Sequence, residues 1–130
     1  MISLSPDEVE RRFAVLGIPS RFTPEEKQAL RTTSLGEDKS RIFVFPTPLA
    51  CADLNVLKLR EIVGTNPTKQ PTFFDHAWYV EEAFGRLDCE PGWHALQMDV
   101  LPDSISKPIN YSSSWERPSA MEVILMLFLH

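Results

Sequence analysis

Residues 73–101 hold two of the three tryptophans, two of the three histidines and one of the two cysteines of this chain. His76 and His94 are its internal histidines, so imidazole chemistry within the chain falls to them. Asp75 adjoins His76, and Glu81, Glu82, Asp88, Asp99 and Asp103 lie close in sequence. These types could build a histidine–carboxylate metal site, or a Cys89–His pair in which the imidazole activates a thiol nucleophile. The spacing specifies neither. HExxH and paired CxxC are absent, so no metal ligand set is assigned and no cofactor is called for. The candidate catalytic residues are His76, His94, Asp75 and Cys89.

Other chemistry has weaker support. Ser104 and Lys107 match S-x-x-K in letters, but that chemistry needs the lysine one helical turn behind the serine, and here Pro108 follows in a polar loop. No G-x-S-x-G, phosphate loop or dinucleotide fingerprint occurs. Trp78, Tyr79, Tyr111 and Trp115 form a candidate ligand or partner surface, since aromatic side chains give large contact area at low entropic cost.

The elements that must position these residues are legible in part. Ser5-Pro6-Asp7-Glu8 starts a helix that Gly17 stops, with Val9, Phe13 and Leu16 on one face. Thr23-Pro24-Glu25-Glu26 starts a second, fading near Thr32. The run 41–45, β-branched and aromatic and closed by Pro46, reads as a central strand covered on both sides. Thr47-Pro48 resembles another helix start, and Leu49, Ala52, Val56, Leu59 and Val63 keep helical spacing up to Gly64. Residues 65–71 are an exposed connection. Thr72 with Asp75 resembles a capping box, and Phe73, Ala77, Val80, Phe84 and Leu87 make a helical stripe, which Gly85 weakens by about 1 kcal/mol.

That helix would put His76 in its first turn, where the dipole disfavours a positive charge, so His76 is expected neutral and exposed. Residues 93–101 alternate with His94, Leu96, Met98 and Val100 on one face, which predicts a half-buried strand and a core-edge His94 whose ring N–H finds a carbonyl. Residues 102–118 form a long polar loop, a kind that often carries function. Ser119-Ala-Met-Glu122 is a capping box leading into seven consecutive apolar residues, 123–129, ended by His130. Such a helix wants burial all round, and its last carbonyls lack a glycine stop or a basic last turn. A subunit interface through Met121, Ile124, Leu125 and Phe128 is therefore expected, or else a chain cut within this helix.

Composition bounds the rest. At 130 residues and 43% hydrophobic, one domain over 1–130 is expected. Two cysteines without a secretory leader point to reduced thiols and a cytoplasmic protein. Residues 1–65 hold nine basic and nine acidic side chains, interspersed, whereas 66–130 hold four and nine, which disfavours nucleic acid and anionic membranes. Seven apolar residues cannot span a bilayer. The fold class is α+β, with several helices on a small sheet and the apolar C-terminal helix buried or at a subunit interface. The first functional expectation is a non-enzymatic interaction or ligand-binding module that forms a homodimer, with a protein or small molecule as further partner. The alternative is a small hydrolase or metal-dependent enzyme using His76 and His94 with nearby carboxylates.

Overall fold

Three local signals start three of the helices. In the computed structural model, which describes residues 1–35, 41–76, 80–98 and 117–130, Ser5, Thr23 and Ser119 each accept from the backbone N–H three residues on, while Glu8, Glu26 and Glu122 reach back to the cap's own N–H. These reciprocal boxes satisfy amides that a helix start leaves open. They begin α1 (Pro6–Leu16), α2 (Pro24–Thr32) and a C-terminal helix, Ala120–Leu129. Gly17 ends α1 in the left-handed region at φ 84°, a conformation costly for any residue with a Cβ.

The sheet is mixed, in the order β1-β2-β3: Ile2–Ser3 (β1) pairs parallel with Ile42–Thr47 (β2), and β2 pairs antiparallel with Gly92–Gln97 (β3). All six residues of β2 are buried, as expected of a strand covered on both sides. Pro46 continues the strand instead of closing it. Leu4 N–H donates to the Val44 carbonyl, so the polar groups of Val44 and, two residues on, of Pro46 face the β1 side. There β1 has already ended, and a missing N–H disrupts no ladder.

Phe43 and Phe45 of β2, with their β3 neighbours Leu96 and His94, face the main core. Val9, Phe13 and Leu16 of α1 join them, as do Leu59 and Val63 of α3 (Val56–Val63) and Met121, Leu125 and Leu129 of α4 (Ala120–Leu129). On the other face of β3, the Trp93 indole donates to the Leu30 carbonyl of α2 at 3.2 Å. Among the described residues the architecture is α+β, four α-helices on a small mixed sheet. Among the described residues no helix is long and apolar enough to cross a membrane.

Two predicted helices need correction. The stripe from Leu49 to Val63 breaks into a 3-10 turn, Leu49–Cys51, and α3. Asn55 causes the break, because its side chain accepts from Lys58 N–H and starts the helix afresh. Thr47, expected to cap, is the last residue of β2, and Leu49 is exposed. The helix expected from Thr72 does not form over Thr72–His76. Both members of its apparent capping box are engaged elsewhere: the Thr72 hydroxyl donates to the Gly64 carbonyl at 3.0 Å, and the Asp75 carboxylate pairs with Arg60 at 2.9 Å. Among the described residues that follow, a 3-10 turn forms at Ala83–Arg86.

The apolar helix α4 buries one face, Met121, Leu125 and Leu129, inside this chain, while Ile124 and Phe128 are half-buried and Leu127 is exposed. Its missing basic last turn is supplied from outside the helix. The Arg12 guanidinium of α1 donates to the Leu129 carbonyl, placing a cation at the negative end of the dipole.

Candidate functional site

His94 is where side chains with chemistry converge. It sits on the buried face of β3, 7% exposed, stacked on Phe45 of the neighbouring strand with ring centroids 5.1 Å apart. Its Nδ1 lies 2.9 Å from Glu122 Oε2 and its Nε2 2.9 Å from Thr47 Oγ1. The expected carbonyl partner is thus replaced by a carboxylate and a hydroxyl. Glu122 has two tasks: Oε1 takes the Ser119 N–H at 3.0 Å to cap α4, and Oε2 faces the imidazole.

Hydrogen-bond direction bears on the charge of this ring. The Glu122 carboxylate only accepts, so His94 Nδ1 donates to it. The Thr47 hydroxyl lies within hydrogen-bond distance of both the Glu90 carbonyl and His94 Nε2, and its one proton serves one of them at a time. When that proton goes to Glu90, Nε2 donates as well and the ring is an imidazolium. Burial pulls the His94 pKa down, but the influence of Cys89 and Glu122 outweighs it, and the net direction is up. Burial likewise raises Glu122, against which the Ser119 backbone N–H and His94 prevail, leaving its carboxyl below the ordinary range.

Cys89 completes the cluster from the loop before β3. Its Sγ lies 3.6 Å from the same Glu90 carbonyl that receives Thr47, a contact the neutral thiol makes as donor and the thiolate gives up. The second cysteine is beside it. Cys51 is fully buried in its 3-10 turn, with Sγ 3.3 Å from the Pro48 carbonyl. Leu54 ties the two segments together, its N–H donating to the Cys51 carbonyl at 2.9 Å and its carbonyl accepting from Cys89 N–H at 2.7 Å. Both thiols are free. The influence of Cys51, then those of His94 and Thr47, draws the Cys89 thiol down to about 5 against its burial, while Cys89 and burial push Cys51 up. Of the two, the direction of the shifts favours ionisation at Cys89.

A cleft of about 400 Å³ opens on this cluster, lined by Leu87, Cys89, Glu90, Arg117, Met121 and Glu122 among others. Cys89 is 4% exposed, so access to its sulfur is through this cleft.

Of the candidates read from the sequence, His94 and Cys89 come together. Asp75 is exposed and paired with Arg60, and the exposed His76 stacks on Phe74 at 6.0 Å. Trp78, Tyr79, Tyr111 and Trp115 lie outside the described residues. The residues that sequence reasoning missed are Glu122, Thr47 and Cys51. Glu122 had one available signal: a capping glutamate uses a single oxygen on its cap and leaves the other to bind something else. Among the described residues, no three or more His, Cys, Asp or Glu side chains are arranged to hold a metal ion.

Glutamine at position 122 tests this geometry. It offers one acceptor oxygen where Ser119 N–H and His94 Nδ1 need two, so one donor loses its partner. The expected cost is about 1–2 kcal/mol, trimmed by solvent because the Glu122 side chain is 30% exposed. The depressed carboxyl contributes fully above its ordinary value of 4.5 and loses its effect as pH falls through the folded value. The raised imidazole contributes fully below its ordinary 6.5 and loses its effect as pH rises through the folded value. Urea midpoints of wild type and Glu122→Gln should therefore differ most between those two values and converge on either side.

No protein-family model matches this chain, and neither a curated protein nor a solved structure matches it.

Proposed function

We propose that the chain is a thiol-dependent enzyme domain in which Cys89 is the nucleophile and His94, held by Glu122, is its acid–base partner. The observation that carries this reading is the His94 imidazole 2.9 Å from the Glu122 carboxylate, in a cluster with a cysteine that lines a cleft. A cation next to a thiol favours the thiolate, which is the reactive form. Burial strengthens this influence, because little solvent screens the pair. The substrate is a small electrophile that fits the cleft. Cys89 attacks its electrophilic atom, and His94 delivers a proton to the group that leaves. Of the residues that the sequence offers for a hydrolase or metal-dependent enzyme, this reading keeps His94 and Cys89 and replaces Asp75 and His76 with Glu122. Two free thiols in the interior accord with a reducing compartment, and we place the protein in the cytoplasm.

The test is the pH dependence of Cys89 alkylation by iodoacetamide, read by peptide mass. The expected midpoint lies near 5, far below that of an ordinary thiol. An ordinary midpoint would sink the reading.

A separate observation supports self-association into a homodimer. Val15, 83% exposed, shares a groove of about 500 Å³ with Phe128, Pro71 and His130. Leu127 is 65% exposed on the same helix as Phe128. The occupant we infer is a second copy of the chain, with Ile124 and Phe128 at its edge, and it leaves the Cys89 cleft open to a small-molecule partner. A native mass spectrum at micromolar concentration should show a dimer, lost in Val15→Asp. A monomer at every concentration removes this proposal.

A further inference from the structure

A nucleophile acting alone leaves Cys51 unexplained. Its sulfur is shut away from solvent, its segment is tied to that of Cys89 through both polar groups of Leu54, and it is the neighbour with the largest influence on the Cys89 sulfur. Acyl or alkyl transfer needs no second thiol. A buried thiol against a reactive one has a specific use: it attacks the reactive sulfur once that sulfur carries a leaving group. The leaving group must be small, because Cys51 meets Cys89 in the interior while substrate arrives from the cleft. Hydroxide, left on sulfur after attack on a peroxide, meets that requirement.

We propose that Cys89 and Cys51 are a peroxide-reducing couple, with Cys89 the sulfur that meets a hydroperoxide and Cys51 the thiol that resolves it as a disulfide. This deepens the proposed function and rests on Cys89 being its nucleophile. In the first step the Cys89 thiolate attacks the distal oxygen. A sulfur–oxygen bond forms, the oxygen–oxygen bond breaks, and the departing alkoxide takes the proton that His94 holds on Nε2, leaving as an alcohol. Cys89 becomes a sulfenic acid, oxidised by two electrons, and the peroxide is reduced by two. In the second step the Cys51 sulfur attacks Cys89. The sulfur–oxygen bond breaks and hydroxide departs as water with the Cys51 proton. Two thiols and one hydroperoxide have become a disulfide, an alcohol and water.

The roles cannot be exchanged. Cys51 is fully buried, whereas Cys89 lines the cleft through which substrate arrives. Arg117 stands on the same cleft wall, a cation suited to a hydroperoxide that carries a carboxylate.

The experiment treats the reduced chain with equimolar hydrogen peroxide at about pH 6, where a thiol of ordinary pKa is almost wholly protonated, quenches with N-ethylmaleimide and maps tryptic peptides. Lys58, Arg60, Lys69 and Arg86 separate the two cysteines, so a disulfide shows as a linked pair of peptides. The expected result is that linked pair, with both thiols lost together. In Cys51→Ala, Cys89 should stop at the sulfenic acid and be trapped by dimedone; in Cys89→Ser, Cys51 should stay reduced. The wild-type result needs no variant to fold. The couple is overturned if Cys89 passes to the sulfinic acid while Cys51 remains a thiol, or if neither cysteine is oxidised. A low alkylation midpoint alongside either of those outcomes leaves the nucleophile standing and removes only the couple. An ordinary midpoint removes the reading on which the couple rests.

Discussion

His94→Gln should raise the pH at which Cys89 alkylates at half its maximal rate by about one to three units, the size of the effect that a nearby opposite charge has on an ionisable group. The wild-type midpoint is expected at about 5. Glu122→Gln should act in the same direction and less strongly, because it withdraws only the carboxylate that favours the imidazolium.

The midpoint is the decisive readout because the rate at neutral pH is not. A thiol of ordinary pKa is about 3% ionised at pH 7, so full ionisation gains about 30-fold. Lower basicity also means weaker nucleophilicity, and a Brønsted slope of about 0.4–0.5 over roughly 3.5 units removes about 25- to 50-fold. The two effects nearly cancel. At pH 5.5, however, an ordinary thiol is about 0.1% ionised and Cys89 about three quarters, and the net gain becomes about 20-fold before burial slows access. A midpoint that stays put in His94→Gln would leave the imidazole no part in activating Cys89.

How much of this site was readable beforehand depended on the range of the interaction. The starts of α1, α2 and α4 were legible because each capping box closes over three residues and needs nothing distant. The inward face of β3 was legible because alternation is a property of the backbone, and His94 with Leu96 is buried as that pattern requires. The stripes at 48–63 and 72–87 misled because periodicity records which side chains could share a helix face. It does not record that Asn55 caps in mid-stripe or that Thr72 prefers the Gly64 carbonyl. The site itself lay beyond such reading. His94 meets a hydroxyl 47 residues before it and a carboxylate 28 residues after it. Only the pairing of β2 with β3 and the seating of α4 bring these together, and both follow from packing of the whole core.

Leu125→Ala should cost about 2.7–5 kcal/mol of stability in urea, among the largest effects available from one side chain of this chain. Leu125 is fully buried between Met121 and Leu129 on the inward face of α4, and a truncation there removes apolar burial and leaves a cavity that neighbours refill only in part. Its position separates two roles that the sequence merged. Met121 and Leu125 were grouped with Ile124 and Phe128 as one interface, yet the first two pack on this chain's own core and the second two are half-buried. If Leu125 serves the fold, its truncation lowers the unfolding midpoint without a dependence on protein concentration. If it served an interface, the loss would shrink as concentration rises, because association stabilises the folded state by mass action. The same variant bears on the chemistry. Glu122 sits one turn before Leu125 on α4, so a helix loosened at Leu125 should also shift the Cys89 midpoint upward, while Val15→Asp, on α1, should leave that midpoint unchanged.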